Sequence, residues 1–159
     1  MPSNKLTKLG GFTLIELMIT MAVLAVLMFG IIYALNPARE LARARNSQRK
    51  SDLLSIINAV GQNISDNNGT FQCDTGPLPT STALVMATST GTSTYNIAPC
   101  LVSSYLPSMP YDPKAATTTF YTSTSSYYTG YQIQKNASTS RVTVTATSSE
   151  LGETITYTR

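Results

Sequence analysis

The 159-residue sequence holds few groups that could do chemistry. It has no histidine, which excludes a histidine base and histidine metal ligands. No nucleophile–base pair, no carboxylate pair at a useful spacing and no phosphate-binding glycine loop stands out, so the sequence does not read as an enzyme. Three features remain: the carboxylate of Glu16, the two cysteines Cys73 and Cys100, and a basic cluster between residues 39 and 50. Glu16 is the anomaly. It is the only charged residue in the apolar run 12–35. A charge placed in lipid costs on the order of 2.5–3.5 kcal/mol at mid-helix, less near an end, so the expected reading of such an acid is functional, with a partner to be named.

That partner is not local. The positions three and four away are Phe12, Thr13, Ile19 and Thr20, none of them basic. Gly10 and Gly11 stand just before the run, and glycine leaves a backbone free to adopt the extended form a protease needs. A cut between Gly11 and Phe12 would create a new amine at Phe12. Within one helix that amine lies about 6 Å along the axis from Glu16, too far for a good ion pair. A neighbouring copy shifted along the axis could bring its own amine to Glu16. The acid would then serve as a register device, the best attested use of a buried ion pair.

Gly11-Phe12-Thr13-Leu14-Ile15-Glu16 follows a short leader with Lys5 and Lys8 and opens a long apolar helix. This resembles the class III signal of type IV pilins and type II secretion pseudopilins. The resemblance implies a prepilin peptidase that cuts after Gly11 and methylates the amine of Phe12. It implies that Glu16 neutralises the N-terminus of a neighbouring subunit. Implied partners are that peptidase, other copies, minor (pseudo)pilins, an inner-membrane assembly platform and membrane lipid. Tyr105-Leu106-Pro107-Ser108-Met109-Pro110-Tyr111-Asp112-Pro113 is similar to the Tyr-Leu…Pro-x-Asp-Pro segment of major pseudopilins. Many of those hold calcium in a C-terminal acidic loop. Here the candidates Asp112, Glu150 and Glu153 are scattered, with no Asp-x-Asp run, so neither cofactor nor metal is expected.

The elements that must position these residues follow from periodicity. Residues 1–11 are polar and basic, a leader to be removed rather than part of the fold. Residues 12–35 would make a helix of roughly 36 Å, longer than the roughly 30 Å hydrocarbon core of a bilayer. An ordinary secretory signal is opposed by the length of the run, the missing small-x-small site and the acid. Asn36-Pro37 should kink or loosen the helix. Residues 39–52 read as polar all round. Leu53, Ile56, Ile57, Val60 and Ile64 then form one apolar stripe at helical spacing, so the helix should continue to about residue 66 with this stripe packed on a domain. Residues 67–117 read as a long, mostly irregular αβ-loop, in which 83–86 and 100–106 suit short helices.

In residues 118–159, alternation of Tyr127, Thr129, Tyr131 and Ile133, of Val142, Val144 and Ala146, and of Ile155 and Tyr157 predicts three strands of an antiparallel meander. Phe120-Tyr121 could open a fourth strand. The expected fold is therefore α+β and pilin-like: a long N-terminal helix, transmembrane then amphipathic, packed on a small meander.

Charge is segregated. Residues 1–50 carry seven basic side chains against two acids, and residues 51–159 carry four against six. A head with that balance is not expected to bind nucleic acid. The basic cluster itself reads as a solvated stem face that meets acids of neighbours, or as a contact to anionic lipid headgroups. It also sets the positive-inside rule against an extracytoplasmic C-terminal part, the location the motif implies. In that location Cys73 and Cys100 suit one disulfide; otherwise they are two unpaired buried thiols. The tyrosines suit half-buried sheet positions or an adhesive surface. The overall expectation is a single-pass prepilin that polymerises into an envelope or surface filament. The alternative is an unprocessed membrane-tethered adhesin or binding module.

Overall fold

The computed structural model describes residues 10–89, 93–114 and 119–159. Most of the expected leader, including Lys5 and Lys8, lies outside the described residues, as do parts of the expected loop and residue 118 at the start of the expected meander. The chain forms two units, Met1–Glu40 and Leu41–Arg159.

The first unit is one apolar helix. Thr13 is extended (φ −83°, ψ 151°) and caps α1 (Leu14–Leu35) by accepting the Glu16 N–H on its hydroxyl at 3.2 Å. Leu14–Tyr33 has a mean hydropathy of 2.5 and is exposed on every face, so α1 is long and apolar enough to cross a membrane. It stops at Asn36, which adopts the left-handed conformation (φ 43°). Pro37 disfavours a right-handed helical residue before it, and it suits the first position of a new helix. Asn36 then serves that new helix, accepting the Arg39 N–H on its carbonyl oxygen at 3.0 Å. The expected kink is thus a break of one residue between two separately capped helices.

α2 (Pro37–Asp66) supplies the helical layer of the second unit from Leu41 onward. Its end is closed by Asn68 and Gly69, both at positive φ, with the Gly69 N–H bonded back to the Ile64 carbonyl at 2.8 Å. Leu53, Ile56, Ile57 and Val60 are buried as the stripe predicted. The expectation that 39–52 is polar on all sides, and therefore solvated, is overturned. Ala42, Asn46 and Arg49 are buried and extend the stripe by about three turns, the last two members being polar.

Against this helix lies a six-stranded mixed sheet: β1 (Leu84–Ala87), β2 (Thr94–Tyr95), β3 (Thr119–Ser123), β4 (Ser126–Lys135), β5 (Val142–Ala146) and β6 (Ile155–Thr158). The path is β2-β1-β4-β5-β6, with β3 also paired to β4. β3 to β6 form the expected antiparallel meander. The loop adds what the sequence reading missed. Residues 84–87 are a strand pairing antiparallel to β4, not a helix, and β2 runs parallel to β1. Leu84, Val85 and Met86 suit a half-buried sheet surface once β4 offers an edge. Of the helix expected over 100–106, only α3 (Ala98–Leu101) forms.

β4 organises the sheet. Tyr127, Thr129, Tyr131 and Ile133 are all buried on one face, together with Val142, Val144, Ala146 and Ile155. The other face carries threonine pairs: Thr143 with Thr158 at 2.9 Å and Thr145 with Thr156 at 3.3 Å. β1 runs along one side of β4, while β3 and β5 share the other, β3 up to Tyr128 and β5 from Tyr131. Between them Gly130 has φ 77°, a value a side chain would strain, and the pairing with β1 shifts register nearby. At this gap between two neighbours the Thr129 carbonyl accepts the Asp112 N–H at 2.8 Å. The irregularity of β4 therefore holds Asp112 in the structure.

Candidate functional site

The Gly10–Glu16 segment is built simply. Gly10, Gly11 and Phe12 precede the helix and are exposed, Phe12 at 84%. A Cβ on either glycine would meet nothing within 4 Å, so packing does not require glycine at these positions. Glu16 is the third residue of α1 and exposed. Among the described residues no cation pairs with it in an ion pair. Thr13-x-x-Glu16 also fits a capping box, and an acid in the first turn complements the helix dipole. The Thr13 half of that box is formed. Sequence reasoning passed over this local role, although the Thr-x-x-Glu spacing was there to signal it.

The second assembly of chemistry lies in the head and was not anticipated. Arg49 and Asp112 both have fully buried side chains. Arg49 donates two parallel bonds to Asp112, Nε to Oδ2 and Nη2 to Oδ1, each 2.8 Å. Its Nη1 donates to Asn46 at 2.9 Å and to Glu150 at 3.2 Å. Asp112 also accepts the Lys114 N–H at 2.8 Å. Glu150 receives Arg45 at 2.6 and 2.8 Å and Lys114 Nζ at 2.7 Å. Asn46 exchanges two bonds with the backbone of Glu150 and donates to Glu153, which Lys50 reaches at 2.9 Å.

The charges explain the proton affinities. Hydrogen bonds from Arg45, Lys114 and Arg49 hold the Glu150 carboxyl well below its usual range despite desolvation. Lys50 lowers Glu153 in the same way. Asp112 raises the proton affinity of Arg49, which keeps its charge. This corrects the reading of the basic cluster. Arg45, Arg49 and Lys50 all bind acids of their own head, Arg49 fully buried and Lys50 while still partly exposed. The three acids singled out as calcium candidates turn toward these cations. Among the described residues no three histidine, cysteine or carboxylate groups are placed to hold a metal.

The buried tyrosines are likewise engaged. Tyr131 donates to Asp52 at 2.8 Å, and burial raises the proton affinity of both. Tyr127 donates to Asn96 and accepts the Ile97 and Ala98 N–H groups, and burial pushes its pKa up to about 12. Tyr95 donates to the Gly76 carbonyl at 2.6 Å. Cys73 and Cys100 form a disulfide, with Cα atoms 5.2 Å apart. It ties the segment after α2 to α3, and closing such a loop contributes roughly 3–4 kcal/mol by chain entropy.

Two outcomes are expected for the full chain in detergent. Arg49→Leu strands the buried Asp112 and should cost about 3–5 kcal/mol of unfolding free energy, whereas Arg49→Leu with Asp112→Leu should cost less. Denaturant unfolding of both variants checks this; a double variant no more stable than the single would reject the ion-pair account. Acid should also destabilise the head. Glu150 and Glu153 have lowered folded pKa values, so their stabilisation is complete above the unfolded value near 4.3 and is lost as pH falls through the folded ones. Asp52, raised, acts in the opposite sense: its contribution is largest at low pH and fades as pH rises. Melting temperature should therefore hold above about pH 5 and fall steadily below about 4.3, with Glu150→Gln flattening the fall.

Comparison with known proteins gives a match at one end of the chain. Residues 8–32 match the prokaryotic N-terminal methylation motif. No curated protein and no solved structure matches the chain.

Proposed function

We propose, from the premise that residues 8–32 match the prokaryotic N-terminal methylation motif, the class III signal of prepilins, that the chain is a structural subunit of a type IV pilus-like filament or a type II secretion pseudopilus. The family is structural rather than enzymatic. The motif implies processing by a peptidase and assembly with other pilin subunits. In the proposed course the prepilin inserts through α1 as a single anchor, its C-terminal part outside the cytoplasm. It is cut after Gly11, methylated at Phe12 and polymerised through α1, with Glu16 receiving the charged N-terminus of a neighbour.

One observation carries this reading: the helix begins at Leu14, two residues past the cut. Gly10-Gly11-Phe12 is thereby left outside the helix and exposed, within reach of a protease, and Leu14 to Tyr33, apolar but for Glu16 and Thr20, is left uncovered. An apolar helix of this kind leaves the membrane only if it can bury its surface elsewhere, and a bundle of identical helices offers that. Glu16 is the one group in it that such a bundle must answer with a charge. Its capping-box role does not compete, because capping uses the Thr13 hydroxyl and the helix dipole, and leaves the carboxylate able to accept a partner's amine.

Mass spectrometry of the protein from its own cells should find a chain beginning at N-methyl-Phe12; a chain that keeps residues 1–11 would favour a tethered adhesin instead. Gly11→Val should block the cut without disturbing the fold, since a Cβ there meets nothing. Normal maturation of that variant would reject the peptidase reading. Glu16→Ala should be cut normally yet yield few filaments by electron microscopy. Filaments at wild-type abundance would remove the ion-pair role.

A further inference from the structure

The first turns of α2 within the head present a cationic cleft with a leucine on its rim. Arg43, Ser47 and Lys50 stand at i, i+4 and i+7, so they share one side of the helix. With Asn46, Leu151 and Glu153 they line an open cleft of about 400 Å³. Its one acid is already answered, because Glu153 accepts Lys50 and Asn46, each at 2.9 Å. With the ion pairs behind it included, Arg43, Arg45, Arg49, Lys50 and Lys114 stand against Asp112, Glu150 and Glu153, a surplus of two positive charges. Leu151 and Gly152 have φ of 60° and 73°, and the Glu153 N–H donates to the Glu150 carbonyl at 3.2 Å. This is a turn with two left-handed residues, where asparagine, aspartate or glycine is favoured at the first. A leucine there is strained, and this one is 52% exposed.

We propose that this cleft takes the phosphate of an anionic membrane lipid while Leu151 dips into the bilayer interface. The proposal rests on the anchoring of α1 in the filament reading above. Charge and apolarity select the occupant together. A second copy would bring the same positive surplus, and a free anion has no use for the leucine. An anionic lipid in a bilayer offers a negative headgroup and an apolar layer side by side. Arg43 can give a phosphate two parallel N–H bonds. The Ser47 hydroxyl and an ammonium proton of Lys50 not used by Glu153 can add to them.

Chain length keeps the cleft within reach. α1 has 22 residues, about 33 Å of helix against a hydrocarbon core of about 30 Å. Asn36 is the single residue between α1 and α2. Arg43 lies six residues past Pro37, about 9 Å along α2. The headgroup layer adds about 5–8 Å on each side of the core, and its potential decays over a further 8 Å or so at physiological salt. At any angle between the helices, Arg43 therefore stays near that layer.

The test uses the full chain in nanodiscs that hold one copy each. The chain has no tryptophan, so Leu151→Trp introduces a single reporter. In discs of phosphatidylglycerol and phosphatidylcholine its emission should shift to the blue and be quenched by acyl-brominated lipid, whereas discs of phosphatidylcholine alone should show neither. Adding Arg43→Gln should lower the docking constant about fivefold, the scale of one cation near a charged surface. Gln62→Trp, 15 residues beyond Ser47 on α2, should stay unquenched in both discs. Leu151→Cys carrying a bimane label repeats the reading should tryptophan disturb the turn. No quenching at residue 151, equal quenching without phosphatidylglycerol, indifference to Arg43→Gln, or equal quenching at residue 62 would overturn the lipid site and leave the filament reading standing. Shielding of residue 151 that appears only when discs hold two copies would assign the leucine to a second copy and also overturn the site. A chain that does not enter the discs would overturn both.

Discussion

A guanidinium with no exposed surface must be answered in full, and Arg49 of the head is answered by Asp112, Asn46 and Glu150. Desolvating such a pair is expensive, and one partner without the other is worse than neither. The pair therefore acts as a constraint more than as a source of stability. It fixes three otherwise independent pieces at once: the first turns of α2 within the head, the segment around Asp112, and the turn that carries Glu150. Asp112 is itself held by the Thr129 carbonyl, at the place where β4 changes neighbours. The sheet, the proline-rich segment and the helix are thus cross-referenced through one residue, Asp112, whose N–H binds the sheet and whose carboxylate binds the helix.

The two halves of the chain divide their labour by solvent. In the head the apolar stripe of α2 and the inner face of the sheet bury one another, and even the polar groups of the interface find partners; among the described residues no buried side-chain nitrogen or oxygen is left without one. In α1 the opposite holds. Its surface is apolar on all sides, and only a bilayer or other helices can cover it. A unit that satisfies itself and a helix that cannot do so suit the proposed function.

Much of this was legible. Leu53, Ile56, Ile57 and Val60 were readable as a buried stripe because spacing alone decides which side of a helix they share. Tyr127 to Ile133 and Val142 to Ala146 were readable as strands for the same reason at period two. Phe120-Tyr121 was readable as the start of β3. Where the reading failed, the deciding contact was distant. Ala83 to Met86 looks like a short helix until β4, more than 40 residues later, supplies an edge. Asn46 and Arg49 look solvated until Asp112, 63 residues away from Arg49, arrives to receive them. The acids Asp112 and Glu150 look scattered for the same reason, yet both bind Arg49.

By itself the sequence determined what local chemistry can determine. The motif from Gly11 to Glu16, the cap at Thr13, the apolar run and the break at Asn36-Pro37 depend on neighbours within a few residues, so they are written in order along the chain. The tertiary structure alone decided the fate of the charges between residues 39 and 50 and the added strands β1 and β2. Each of these depends on bringing remote segments within about 3–4 Å, and neither hydropathy nor spacing encodes that distance.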